Sequence, residues 1–283
     1  MLVDSHCHLD YPGLIEDIPG VLARAHAAGV GAFLTIGTKL KDFPRVQALA
    51  EAHPEIWCSV GIHPHEAANE TADAVRLVAL ARHPRVIGIG ETGLDYFYDR
   101  SPRAEQQANF RTHIEAAIAA GLPLIVHTRD ADADTGATLS AMSAESGGRL
   151  KGVLHCFTAT RALAERAIAL GFYVSISGIV TFKNAEDLRA TVKALPLERL
   201  LVETDSPYLA PMPVRGRPCE PAFVQHTAAK VAELKGVTRE ELARVTTANF
   251  FALFDRARPA MSGDPPHPST GSAPRQARER PSC

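Results

Sequence analysis

The chain has 283 residues, 46% of them hydrophobic, and 32 acidic against 30 basic side chains for a net charge of −2. That composition excludes a largely disordered protein and gives no sign of a basic nucleic-acid wrapper or an acidic solvating protein. The five cysteines, Cys7, Cys58, Cys156, Cys219 and Cys283, stand singly with no C-x-x-C pair, which predicts free thiols and no finger-type zinc. The N-terminal stretch MLVDSHCHLD lacks the basic and apolar regions of a secretory signal, and no apolar run reaches the roughly 20 residues of a membrane span. A cytoplasmic protein without membrane attachment or an obligate protein partner is expected.

Short apolar runs of strand type occur at 2–5, 32–37, 56–62, 86–90, 123–126, 152–154, 172–177 and 200–203. They read as strands buried on both faces, as parallel sheets require. Helical patterns lie between them, for example at 19–28, 43–52, 72–81, 102–120, 161–170 and 185–194. Ser101 before Pro102 reads as a cap before a first-turn proline. Gly29, Gly121 and Gly171 read as left-handed helix ends. Thr238 with Glu241 reads as a capping box that opens a last helix through about residue 254.

Eight strands alternating with helices suit either a closed (β/α)8 barrel or an open doubly wound sheet. No G-x-G-x-x-G follows the first strand, and residues 1–258 are close to the usual barrel size. The predicted fold is therefore α/β, a single TIM-type barrel over 1–258. Residues 259–283 are rich in Pro, Ser and Arg and are expected to be a disordered tail.

Chemistry gathers at one end of these strands. Strand 1 ends in His6 and His8, strand 3 in His63 and His65, and strand 4 in Glu91. Strand 5 ends in His127, strand 6 in His155, and strand 8 in Glu203 and Asp205. A lone histidine at a strand end is usually structural. Six of the 12 histidines at such ends form a joint signal, on the face where barrels build active sites. Residues i and i+2 of a strand share a side, so His6 and His8 can reach one ion while Cys7 points away. Glu91 offers two oxygens and can bridge two ions. His6, His8, His127, His155, Glu91 and Asp205 make six ligands, more than the usual three protein ligands of one catalytic zinc, so two divalent ions are expected. Zn²⁺ and Mn²⁺ suit the imidazoles, while Mg²⁺ prefers oxygen.

The segments DSHCHLD (4–10), SVGIHPH (59–65), IGIGETGLDYF (87–97), LIVHTRDA (124–131), GVLHCF (152–157), VSISGIVTFKN (174–184) and LLVETDSPYLAP (200–211) resemble, in order, those of the TatD-type metal-dependent deoxyribonucleases of the amidohydrolase-like superfamily. The resemblance covers nearly all of 1–258. It implies a binuclear hydrolase of phosphodiester bonds, with the same six residues as ligands and Glu91 as the bridge. The segment RGRPCEPAFV (215–224) departs from the family-like RGKRNEPAYV at Pro218 and Cys219, which puts one substrate contact in doubt.

On this reading Asp205 is the general base, assisted by Glu203, which alternatively orients a ligand. His63 contacts the substrate phosphate or donates a proton to the leaving oxygen, and His65 supports it or makes a second contact. Arg129, Arg215 and Arg217 are candidate phosphate contacts. Tyr96, Phe97 and Tyr208 are candidates for base stacking or for core packing. The expected substrate is DNA, with RNA as a further candidate, attacked at strand ends. Bound metals and a few arginines supply a local positive field despite the near-neutral whole. Two competing readings are an enzyme cleaving a carboxylic ester or amide, and a non-catalytic metal-dependent binding protein.

Overall fold

The structure is a computed structural model that describes residues 1–257; the predicted boundary at 258 and the tail 259–283 lie outside the described residues. Eight parallel strands run in sequential order: β1 (Leu2–Cys7), β2 (Val30–Thr35), β3 (Ile56–Val60), β4 (Val86–Asp95), β5 (Leu124–Arg129), β6 (Gly152–Leu154), β7 (Tyr173–Ile176) and β8 (Leu200–Val202). Each is followed by a helix: α1 (Ile18–Ala27), α2 (Phe43–Ala52), α3 (Ala74–Leu80), α4 (Arg103–Ala120), α5 (Asp132–Glu145), α6 (Arg161–Ala169), α7 (Glu186–Ala194) and α8 (Val224–Lys235). A further helix, α9 (Arg239–Leu253), ends the described chain. This is the predicted (β/α)8 barrel. Helices α5 and α8 were not among the helical patterns read from sequence.

The helices form because their apolar residues recur at helical spacing. In α1, Ile18, Val21, Leu22 and Ala25 are buried, and the Asp17 carboxylate accepts the Gly20 N–H as a cap. Gly29, Gly121 and Gly171 take positive φ as expected. Two caps differ from the sequence reading. Ser101 does not cap α4; its hydroxyl donates to His65 O and accepts from Ala68 N, so it ties down the turn after β3. Thr238 Oγ1 accepts the Glu241 N–H, but the Glu241 carboxylate turns to Arg244, leaving half a capping box.

Inward residues of the strands, among them Val3, Leu34, Ile87, Ile125, Val153 and Leu201, form one cluster with Phe250, Leu253 and Phe254. Helix α9 thus plugs the end of the barrel where the strands begin: Asn249 Nδ2 donates to Leu200 O, and Thr247 Oγ1 donates to Met1 O. Removing a buried phenylalanine from such a plug costs about 3–5 kcal/mol. A second, larger cluster lies between strands and helices.

β8 meets β1 through contacts that reach past the strand ends. The Asp4 carboxylate accepts the Thr204 N–H at 2.9 Å, Asp205 N donates to His6 O at 2.9 Å, and His8 N donates to Ser206 O at 2.8 Å. Burial pushes the Asp4 carboxyl up to about 8 against the pull of Thr204. The seam places His6, His8 and Asp205 beside one another.

Candidate metal centre

Two irregularities in strand register aim the ligand-type side chains inward. On β1, Asp4 pairs with Phe33 but Cys7 with Thr35, so β1 carries one extra residue across that interval. Strict alternation from the inward Val3 would send Cys7 inward and His6 outward; the bulge reverses this. Cys7 lies in the outer cluster, and both His6 and His8 face the barrel mouth. On β4, Ile89 pairs with Leu124 and Thr92 with Val126, again one extra residue, at Gly90–Glu91. A Cβ on Gly90 (φ +130) would sit 2.5 Å from Ile125 O, and one on Gly93 (φ +141) would sit 1.9 Å from His127 O. Only glycine permits this approach of β4 to β5.

The result is a carboxylate inside a ring of imidazoles. Glu91 is buried, with Oε2 3.4 Å from His6 Nε2. Its other oxygen, Oε1, lies 2.7 Å from His155 Nε2, 3.2 Å from His127 Nδ1 and 3.4 Å from His63 Nε2. Asp205 Oδ1 lies 3.2 Å from His8 Nε2 and 3.6 Å from His6 Nε2. The six predicted ligands are therefore brought together, and Glu91 turns one oxygen toward the His6 side and the other toward the His127 and His155 side.

Hydrogen bonds behind the rings say which nitrogens are free to ligate. His127 Nε2 faces Asp95 Oδ2 at 3.0 Å, so it is committed as a donor there and Nδ1 is the nitrogen turned toward Glu91. His155 Nδ1 faces Glu203 Oε1 at 3.3 Å and turns Nε2 toward Glu91 in the same way. His63 is different. Its Nδ1 accepts the His65 N–H at 3.1 Å, so the neutral ring carries its proton on Nε2, the atom that faces Glu91. That makes His63 a donor into the cavity and a poor ligand, although geometry alone would group it with Glu91 and His127.

Electrostatics point the same way. Burial alone would raise the Glu91 carboxyl, but the surrounding imidazoles, His155 foremost, hold it well below its usual range. Burial alone would lower His155, but Glu91 and Glu203 raise it well above the usual histidine value. The carboxylates thus demand positive charge in the cavity, as protons on imidazole or as cations. His6 Nε2 is buried without a hydrogen-bond partner. An orphaned imidazole nitrogen between two carboxylates, with further ring nitrogens of His127 and His155 turned to Glu91, fits divalent metal ions.

The other predicted residues spread out around this cluster. Glu203 is fully buried; Oε1 accepts the Cys156 N–H at 2.7 Å and faces His155, so it touches a candidate ligand and not the open cavity. His63, His65, Arg129, Tyr208 and Asp205 line a cavity of about 790 Å³ at the mouth. Arg215 and Arg217 are exposed and stack on Phe182 and Phe223, the first of which lines the cavity. Cys219, at the departure from the family motif, is buried, and its N–H donates to Pro207 O, so it offers the cavity nothing. Tyr96 is tied to Asp134 by its hydroxyl and is not among the lining residues. Sequence reasoning missed Asp95. It lies beyond the predicted end of strand 4, and only the extension of β4 to that residue, paired with Arg129, brings it beneath His127 and His65.

A metal-type cluster at the C-terminal mouth of a (β/α)8 barrel stands where barrel enzymes build their active sites. Residues 3–255 match the family model described as TatD related DNase, and the chain belongs to that family of metal-dependent hydrolases. It is 48% identical over 256 residues to the metal-dependent hydrolase YcfH of Escherichia coli, covering 89% of this chain and 95% of the relative. It is 36% identical to the 3′-5′ ssDNA/RNA exonuclease TatD of Citrobacter koseri, covering 89% and 98%. Among solved structures, the TatD homologue YjjV of Escherichia coli superposes with a TM-score of 0.82 at 31% identity, covering 90% of this chain and 98% of that one.

Proposed function

We propose that the protein hydrolyses phosphodiester bonds at the ends of single-stranded DNA, with RNA as a second substrate, using two divalent metal ions. The observation that carries this reading is Glu91, whose Oε2 faces His6 while Oε1 faces His127 and His155. His6, His8 and Asp205 would hold one ion, His127 and His155 the other, and Glu91 both. Bound there, such ions supply Lewis acidity that activates water near neutral pH and offsets phosphate charge.

The chain's own residues supply the remainder. Asp205 keeps part of its side chain open to the cavity while Glu203 is sealed, so Asp205 takes the proton from the attacking water. Glu203 and Asp95 position His155 and His127. His63, with its proton on Nε2, donates to a phosphate oxygen. Burial pushes His63 down to about 4, which keeps the ring neutral at physiological pH and suits a hydrogen-bond donor better than an acid. Arg129 lines the same cavity and is placed to meet the phosphate charge. The substrate named for the Citrobacter koseri relative supports the choice of single strands.

The test is a screen of Mg²⁺, Mn²⁺ and Zn²⁺ against end-labelled DNA, RNA and a carboxylic ester, alongside metal analysis of Glu91→Ala and His155→Ala. Two ions per wild-type chain, fewer in both variants, and metal-dependent shortening of DNA are expected. Cleavage of the ester alone would overturn the reading.

A further inference from the structure

The chain contains 11 Phe, 5 Tyr and 1 Trp. Among the described residues the exposed aromatic side chains are Phe97, Tyr98 and Tyr208, each about half exposed. Tyr98 and Tyr208 line the cavity above the histidine cluster, and Phe97 packs beside Tyr98 with ring centres 4.9 Å apart. Tyr98 stands edge-on to His65, with ring centres 5.5 Å apart. Tyr208 stands edge-on to Tyr11 at 6.2 Å and lies 6.4 Å from His8. Tyr98 follows β4 and Tyr208 follows β8, so the two rings rise from opposite walls of the barrel and both line the cavity.

These rings are held in place. Asp95 Oδ1 accepts the N–H groups of Phe97 (3.1 Å) and Tyr98 (2.8 Å), while its other oxygen serves His65 and His127. One buried carboxylate therefore sets both the aromatic turn and a candidate metal ligand. Cations accompany the rings: Arg129 lies 4.0 Å above Phe97 and 4.8 Å above Tyr98, and Arg100 lies 5.3 Å from Tyr98. Exposing half of an aromatic side chain forgoes the gain of burying it. Doing so at two positions on opposite sides of one opening, with arginines alongside, matches what a base with a neighbouring phosphate requires.

We propose that Tyr98 and Tyr208 form a two-sided base-stacking gate, in which the terminal bases of a single strand stack on these rings while the adjoining phosphate reaches Arg129 and His63 in the cavity below. The proposal rests on the phosphodiesterase reading and adds its selectivity. A paired base is already stacked within its duplex and has no free face for the rings, so the gate admits frayed or single-stranded ends and rejects blunt ones.

The test measures binding and cleavage of a short oligodeoxythymidylate with an internal fluorophore, beside the same strand with abasic residues at both ends. Binding is read by anisotropy in EDTA, where no cleavage occurs, and cleavage in Mn²⁺. Wild type should bind the normal strand about tenfold more tightly than the abasic-ended one. Tyr98→Ala and Tyr208→Ala should each remove most of that preference, and Tyr98→Phe and Tyr208→Phe should restore it, since the ring alone is needed. Equal losses on both strands would mark a general structural defect and overturn the gate. A wild type that cleaves both strands alike would also overturn it while leaving the hydrolase reading intact. A wild type that neither binds nor cleaves either strand would overturn both.

Discussion

Asp95 Oδ2 stands 3.0 Å from His127 Nε2 and commits that nitrogen as a donor, so His127 can present only Nδ1 to the cavity. Asp95 is completely buried, and His127 and His65 overcome the effect of burial to hold it ionised, well below the usual carboxylate range. Carboxylates behind metal-binding histidines are worth about 10–100-fold in metal affinity or activity. Asp95→Ala should therefore weaken metal binding by about that factor, measured by competition with a chromophoric chelator. Affinity equal to wild type would remove Asp95 from the site.

Glu203 stands behind His155 as Asp95 stands behind His127. Glu203→Gln keeps the size and the acceptor for the Cys156 N–H but removes the charge. The expected outcome is a loss of metal affinity of about tenfold, with activity recovered at saturating metal. Loss of kcat that excess metal does not restore would make Glu203 a proton carrier instead.

Metal binding should release protons. Without metal, burial works against a charged His155, but Glu91 and Glu203 outweigh it and favour the protonated ring. An imidazole must shed its proton to ligate. Titration calorimetry with Zn²⁺ or Mn²⁺ in buffers of different ionisation enthalpy should show proton release at pH 7, vanishing at a pH well above 7. No buffer dependence at pH 7 would count against His155 as a ligand.

His113 on α4 gives a pH signature of stability. Its Nε2 accepts the Ile62 N–H at 2.9 Å, and its Nδ1–H donates to Asn109 O at 2.7 Å, so the folded protein needs the neutral ring. Burial pushes it down to about 4 from an ordinary 6.5. As pH falls below 6.5 the unfolded chain takes up the proton first, so the contribution is full above 6.5 and is lost between 6.5 and 4. The slope is about 1.4 kcal/mol per pH unit, or about 3 kcal/mol in all. In urea unfolding, the stability advantage of wild type over His113→Gln should shrink across that window. A constant difference would show that His113 titrates alike in both states.

The sequence by itself determined the alternation of strands and helices, because a parallel strand buried on both faces and an amphipathic helix each leave a local pattern. It also determined which residues lie at the strand ends, since position in the chain suffices for that. Helices α5 and α8 were harder to read. In α5 the buried positions are filled by Thr135, Gly136, Thr138 and Ser143 beside Leu139 and Met142, so hydrophobic contrast is weak.

Tertiary structure decided the rest. The i, i+2 rule pairs His6 with His8, but whether that pair faces the mouth depends on a bulge against β2, and Glu91 turns inward through a second bulge against β5. Register is a property of two strands at once, so no single stretch of sequence contains it. The same holds for Asp95, whose role depends on rings arriving from β3 and β5. It holds as well for the exposure of Tyr98 and Tyr208, which depends on what the rest of the chain leaves uncovered. The −2 charge is read from composition; the concentration of carboxylates inside one imidazole-lined cavity, and hence its demand for cations, exists only once the barrel closes.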